Sequence, residues 1–185
     1  HRYSAEDVDE YPGILARGQY QVVVGNPPYI TVKDPALNAA YRQRYDSCHR
    51  QYALTVPFME LFFELAVKGN GDGAPAGWVG QITSNSFMKR EFGSKLIEVL
   101  LSGVDTRNPV ELTGVIDSEG AWIPGHNMDG TPTVILIGRH RRPTNSTVRA
   151  VLSKTKRETR EEGQFGQGPY WRAIVANLDS EGGFD

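Results

Sequence analysis

The stretch Tyr20-Gln21-Val22-Val23-Val24-Gly25-Asn26-Pro27-Pro28-Tyr29-Ile30 constrains this chain most, because an apolar run enters a turn that holds two successive prolines. A continuous apolar run of this length, bounded by Gly25 and Asn26-Pro27-Pro28, predicts a strand over residues 20–24 covered on both faces, as in a parallel α/β sheet. Proline has no N–H, fixes its own φ and restricts the residue before it, so the ladder must stop where the prolines begin. The turn therefore falls at the strand's carboxyl end, where open α/β sheets hold ligands. Asn-Pro and Pro-Pro are also ordinary strand-ending punctuation, with Tyr29 as a packing residue. It is the valine strand ahead of the turn that favours a site.

Further elements follow in order. Asp34-Pro35 starts a helix that runs to about Tyr45, with proline at its first position. Residues 57–68 give a second helix, with Phe58, Leu61, Phe62, Leu65 and Ala66 as its core stripe. The glycine-rich loop over 69–77 follows a helix and precedes a strand, the reverse of a phosphate-cradling order, so it reads as a surface connection. A strand over 78–83 ends in Ser84-Asn85-Ser86, which can cap one helix running from about Met88 to Leu101. Strands at 110–116 and 133–138 flank a long loop, and Val148 to Leu152 suggests one more. The alternation predicts the α/β class, a doubly wound Rossmann-like sheet with an antiparallel terminal strand pair. At 185 residues the chain makes one core and a tail, divided here as a catalytic part over 1–142 and a basic linker or following region over 143–185.

With 39% apolar residues and a net charge of -2, the chain has the balance of a globular protein, and no apolar run reaches the roughly 20 residues of a membrane span. Phosphate affinity must then come from local clustering of charge. The run Arg139-His140-Arg141-Arg142 is one such cluster, read equally as a DNA-phosphate contact at Arg139, Arg141 and Arg142 or as a solvated face. A single cysteine, Cys48, excludes an intrachain disulfide and fits a reducing cytoplasm, and four histidines without ligand spacing suggest no metal. The chain begins at His1, within a polar acidic segment, which suggests a piece of a longer protein.

The turn has its own chemistry. An exocyclic amine conjugated to a heterocycle or carbonyl is a poor nucleophile because its lone pair is delocalised. Two neutral acceptors aimed at its N–H bonds, the Asn26 side-chain oxygen and the Pro27 carbonyl, favour a pyramidal nitrogen and stabilise the positive charge that grows as it attacks. Pro27 and Pro28 fix those acceptors in advance, and Tyr29 offers a face on which a base stacks for roughly 1–3 kcal/mol. Trp122, in the loop between the strands at 110–116 and 133–138, is a candidate second wall of a base pocket or a plain loop anchor. No paired carboxylates, Ser-His-Asp set or Cys-His set has comparable context.

Val23-Val24-Gly25-Asn26-Pro27-Pro28-Tyr29-Ile30 resembles the catalytic motif of S-adenosylmethionine-dependent N6-adenine DNA methyltransferases. The Phe58 to Ala66 helix, Ser84-Asn85-Ser86-Phe87, Gly114-Val115-Ile116-Asp117, Ile123-Pro124-Gly125 and Thr131-Pro132-Thr133-Val134-Ile135-Leu136 resemble that family's later motifs in order, especially in the adenine methyltransferases of BREX (Pgl) phage-defence systems. The resemblance covers about residues 15–140. It implies the substrate-side half of a methyltransferase sheet, double-stranded DNA and other defence-system proteins as partners, S-adenosylmethionine as cofactor, and Asn26, Pro27 and Tyr29 around a flipped adenine. The family's glycine-rich cofactor loop has no match, so it is expected upstream of His1, and the isolated chain is expected to be inactive. A protein glutamine methyltransferase, faintly echoed by Asp34-Pro35-Ala36-Leu37, and an inactive nucleic-acid-binding module are the alternatives.

Overall fold

The computed structural model of the chain describes residues 9–70, 75–104, 107–121, 132–152 and 168–179. Five strands form one mixed sheet: β1 (Val22–Gly25), β2 (Trp78–Ser84), β3 (Glu111–Asp117), β4 (Thr133–Arg139) and β5 (Arg149–Val151). Their spatial order is β1-β2-β4-β3-β5. β1 and β2 are parallel, β4 lies antiparallel between β2 and β3, and β5 is parallel to β3. The α/β class and the antiparallel pair read from the sequence are what the fold shows.

Register decides which side chains share a face. Val23 pairs with Val79 and Gly25 with Gln81, while Gln81 and Thr83 face Leu136 and Val134 of β4. That face is covered by α2 (Thr55–Leu65), whose Val56, Met59 and Phe63 are at most 1% exposed. Burying side chains of this size stabilises the fold by roughly 1.5–3 kcal/mol each. The helix begins two residues ahead of its predicted start, with Pro57 in the first turn, where a missing N–H costs nothing. The predicted stripe is displaced: Phe58, Leu61 and Phe62 are only half-buried, and the deepest residues lie one position on, at Met59 and Phe63. Gly25 explains part of this, because a side chain there would overlap the Phe62 ring that rests against it.

α1 (Pro35–Arg44) has the predicted bounds, with the Asp34 side chain accepting from the Leu37 N–H at 2.7 Å. The single helix expected over 88–101 is a correction. The structure holds a short α3 (Ser86–Lys89), a 3₁₀ turn at Glu91–Gly93 and a π-helical turn at Leu96–Leu101. Arg90 between the first two is extended, and Gly93 lies so close to the Phe87 backbone that no side chain fits. The pieces still bury Phe92, Leu96 and Leu100.

The other sheet face carries Ile116 and Val151 against Ile174 of α4 (Pro169–Asn177), with Ile135 and Ile137 beside them. Towards β1 that cover ends. Val22 is 59% and Val24 76% exposed, so the expectation of a strand buried on both faces is not met: among the described residues β1 pairs only with β2, and nothing covers its second face. No helix among the described residues is long and apolar enough to cross a membrane.

Candidate active site

The Asn26-Pro27-Pro28-Tyr29 turn leaves the carboxyl end of β1, as its sequence predicts. Pro27 is buried, Tyr29 half-buried, and Asn26 and Pro28 are exposed, so the turn is anchored by one proline while its amide faces out. The chain beyond it is clamped: the Leu54 N–H donates to the Ile30 carbonyl at 2.8 Å, Thr31 bridges Ala53, and the Val32 N–H donates to Tyr52 at 3.2 Å. The turn is therefore fixed from both sides, by β1 before it and by the lead-in to α2 after it.

The Tyr29 hydroxyl donates to Asn26 Oδ1 at 2.8 Å. Burial pushes the Tyr29 hydroxyl above its ordinary range, so it stays protonated and remains a donor. An amide oxygen has two lone pairs, so this bond orients Asn26 and leaves a second position open.

One strand over, β2 ends in a network that the sequence did not reveal. Asn85 is 3% exposed, and its Nδ2 donates to Glu119 Oε2 at 3.0 Å, where Lys89 Nζ joins at 3.1 Å. The Asn85 N–H also donates to the Pro132 carbonyl at 2.9 Å. Asn85 thus ties down both approaches to the β3–β4 connection, and of the Ser84-Asn85-Ser86 triplet expected to cap the helix it is Ser84 whose Oγ accepts from the Ser86 N–H, at 3.2 Å. The only trace in the sequence is the Ser-Asn-Ser triplet, because Glu119 is 34 positions away. Trp122 lies outside the described residues. Cys48 is buried, and burial pushes its thiol up to about 12, which removes it as a nucleophile at neutral pH.

The basic run begins at the other end of β4: Arg139 is level with Trp78 and Val22, three residues or roughly 10 Å along the strands from Gly25. The Arg139 guanidinium stacks 4.7 Å over the Trp78 ring and donates to the Ala76 carbonyl at 3.2 Å. Arg141 Nε donates to Glu111 Oε2 at 2.5 Å, Thr144 N–H donates to the same carboxylate at 2.8 Å, and Arg142 is exposed. Burial alone would raise the Glu111 carboxyl, but the Arg141 and Thr144 hydrogen bonds outweigh it and hold the group below its ordinary value. His140 is 5% exposed, with Nδ1 2.8 Å from the Ala66 carbonyl, and burial keeps its pKa below the usual range. The structure therefore brings Asn26, Pro27 and Tyr29 together and leaves Arg139, Arg141 and Arg142 at the opposite end.

Residues 2–114 match the profile of the Eco57I restriction-modification methylase family. Among curated proteins, the chain is 52% identical over 187 residues to the adenine-specific methyltransferase PglX of Streptomyces coelicolor, covering 98% of this chain and 14% of that protein. It is 31% identical over 97 residues to the type II methyltransferase M.BstVI of Geobacillus stearothermophilus, covering 51% of this chain and 16% of that one. The chain thus spans about one seventh of the length of these relatives. Among solved structures, it resembles a protein assigned as the modification subunit of a type I restriction enzyme from Vibrio vulnificus YJ016, with a TM-score of 0.61, 14% identity and coverage of 90% of this chain and 32% of the other. A class I S-adenosylmethionine-dependent methyltransferase assignment from Listeria monocytogenes follows, with a TM-score of 0.52, 14% identity and coverage of 88% and 42%. At that identity the two likenesses establish the fold.

Proposed function

The chain belongs to the Eco57I restriction-modification methylase family, and we propose on that premise that it holds the target amine for methyl transfer from S-adenosylmethionine to N6 of an adenine flipped out of double-stranded DNA. The observation that carries the reading is the anchored turn, with Asn26 Oδ1 oriented by the Tyr29 hydroxyl at 2.8 Å at the carboxyl end of β1. The open lone pair of Asn26 Oδ1 and the Pro27 carbonyl accept the two N6 hydrogens. The Tyr29 ring stacks on the extruded base, and Pro28 keeps the turn from relaxing when the base leaves. Both acceptors are neutral, so they share the positive charge that develops on nitrogen without trapping it as an ion pair. The nitrogen gains a methyl group and loses one proton, and the site relaxes to an amine that again needs only neutral partners.

S-adenosylmethionine supplies the electrophilic methyl when bound. The described residues do not fit it on their own: the glycine-rich loop of this chain leads into the amino end of β2, far from the turn. What the chain does offer is a β1 edge that is unpaired and a face at Val22 and Val24 that is uncovered among the described residues, the place where a donor-binding half would join the sheet. Catalysis belongs to residues 1–142, and the segment from 143 on supplies β5 to the sheet beside β3 and α4 to its second face. Phosphate contact by Arg139, Arg141 and Arg142 would have to come from a part of the DNA distant from the target base. The family's restriction-modification description and the adenine-specific relative favour DNA over a protein amide as substrate, and on this reading the protein acts in the cytoplasm in modification or phage defence beside other defence proteins.

In the protein at its full natural length, Asn26→Ala should lower N6-methyladenine formation at least about 100-fold, the scale of losing one preorganised transition-state partner. Retained methylation would remove Asn26 from the reaction.

A further inference from the structure

A cleft of about 510 Å³ opens beside the candidate active site, and its polar lining is Lys33, Asn38, Arg42, Arg50 and Gln51 over a floor of Val32 and Pro35. Three cations and two amides line it, and no carboxylate does. Lys33, Arg42 and Arg50 are all exposed, so their charged ends are available to a ligand.

The cleft has fixed walls. Thr31 bridges Ala53 and the Val32 N–H donates to Tyr52 at 3.2 Å, which joins the segment after the turn to the far wall. Arg42 donates from Nη2 to the Arg50 carbonyl, which ties α1 to the loop. Arg50 has φ 53 and is the one described non-glycine residue with positive φ. Such backbone is uncommon outside glycine and gathers at functional sites. Its guanidinium meets Glu91 at 2.7 Å, but both side chains are exposed (59% and 66%), so water screens the pair and an anion can displace it.

A second cleft, of about 350 Å³ at the opposite end of the sheet, shows the contrast. There Arg17 and Arg44 are both held by Glu64 and Arg107 by Asp46, so its three arginines are already matched. In the first cleft, by contrast, Lys33 and Arg42 meet no carboxylate among the described residues and Arg50 meets only the exposed Glu91, close to the turn. Val32 lies three residues beyond Tyr29, so the two are at most about 10 Å apart along the chain.

We propose that Lys33, Arg42 and Arg50 bind backbone phosphates of the DNA strand that delivers the target base, next to the flipped nucleotide. A lysine point charge with two guanidinium forks suits consecutive phosphodiesters, and contacts of this kind set the register of the strand without reading sequence. The inference rests on the methyltransferase reading for the identity of the polyanion.

The test is duplex binding by fluorescence anisotropy across a salt series, with the protein at full natural length. Lys33→Gln should lower the slope of log K against log[salt] by about 0.9 and weaken binding by about eightfold at 0.1 M salt, equally for all sequences, and Lys33→Arg should restore both. Arg42→Gln and Arg50→Gln should each act in the same direction. An unchanged slope in Lys33→Gln overturns the proposal, as does a slope that falls only in Arg142→Gln, which would place the phosphates at the other end. Calorimetry with pyrophosphate separates the sources: loss of pyrophosphate binding in Lys33→Gln with an unchanged DNA slope would mean a small-anion site and would also overturn it. Methylation by Asn26→Ala in the same preparation reports on the catalytic reading independently of the slope.

Discussion

The two ends of the sheet are built on opposite electrostatic plans. At the amino end of β1 and β2, charge is matched as it is buried: Glu111 holds Arg141 and Thr144, Glu64 takes Arg44 at 2.7 Å and Arg17 at 3.0 Å, and His140 sits neutral against the Ala66 carbonyl. At the carboxyl end the turn presents an outward amide with an open lone pair, and in the neighbouring cleft Lys33 and Arg42 meet no carboxylate among the described residues while Arg50 meets only the exposed Glu91. A buried charge must be matched to be tolerated, whereas a group that is to meet a ligand must be left unsatisfied. The difference separates the end that holds the fold together from the end that works on a substrate.

Substitutions that remove one partner at the amino end should be the most damaging to stability. Arg141→Met leaves the Glu111 carboxylate, 4% exposed, without its cation, and the fold should lose about 3 kcal/mol, measured by urea unfolding. An effect below 0.5 kcal/mol would mean that Thr144 alone satisfies the carboxylate. Next comes Gly25→Ala, which breaks the comparison from the other side, because the new methyl overlaps the Phe62 ring. A cost of about 2 kcal/mol is expected together with displacement of the turn that follows, so methylation and stability should fall together.

The smallest effect concerns pH. The native His140 pKa lies below its unfolded value of about 6.5, so below that pH the unfolded chain binds a proton that the native imidazole does not. Stability from this group is therefore full above about 6.5 and is lost as pH falls through the window between the unfolded and native values. His140→Asn, which keeps a donor for the Ala66 carbonyl, should show a shallower loss of unfolding free energy over that window. Parallel curves would place the acid sensitivity elsewhere.

Much of this was legible in the chain because the signals were local. The valine run, the prolines, Asp34 ahead of Pro35 and the alternation of strands with helices are settled within a few residues, and the structure has them in the predicted places. What escaped depends on partners far off in sequence. Glu119 reaches Asn85 across 34 positions, and Lys33, Arg42 and Arg50 meet only because the chain folds back through Thr31 and Ala53. The arginine run looked like a free basic patch, yet Arg139 and Arg141 are engaged with Trp78 and Glu111, pairings that no spacing rule announces. The helix over 88–101 broke because Gly93 allows a close approach to Phe87 that a continuous helix does not permit. Val22 and Val24 read as buried from the continuous apolar run, but burial is a property of what lies against a strand.

The division of labour between the two ends is tested most directly by measuring N6-methyladenine formation and urea unfolding together for Asn26→Ala in the full-length protein. The account predicts methylation reduced at least about 100-fold with stability within about 0.5 kcal/mol of the parent, since Asn26 is exposed. Methylation at the parental rate, or a loss of activity that only tracks a loss of stability, would contradict it.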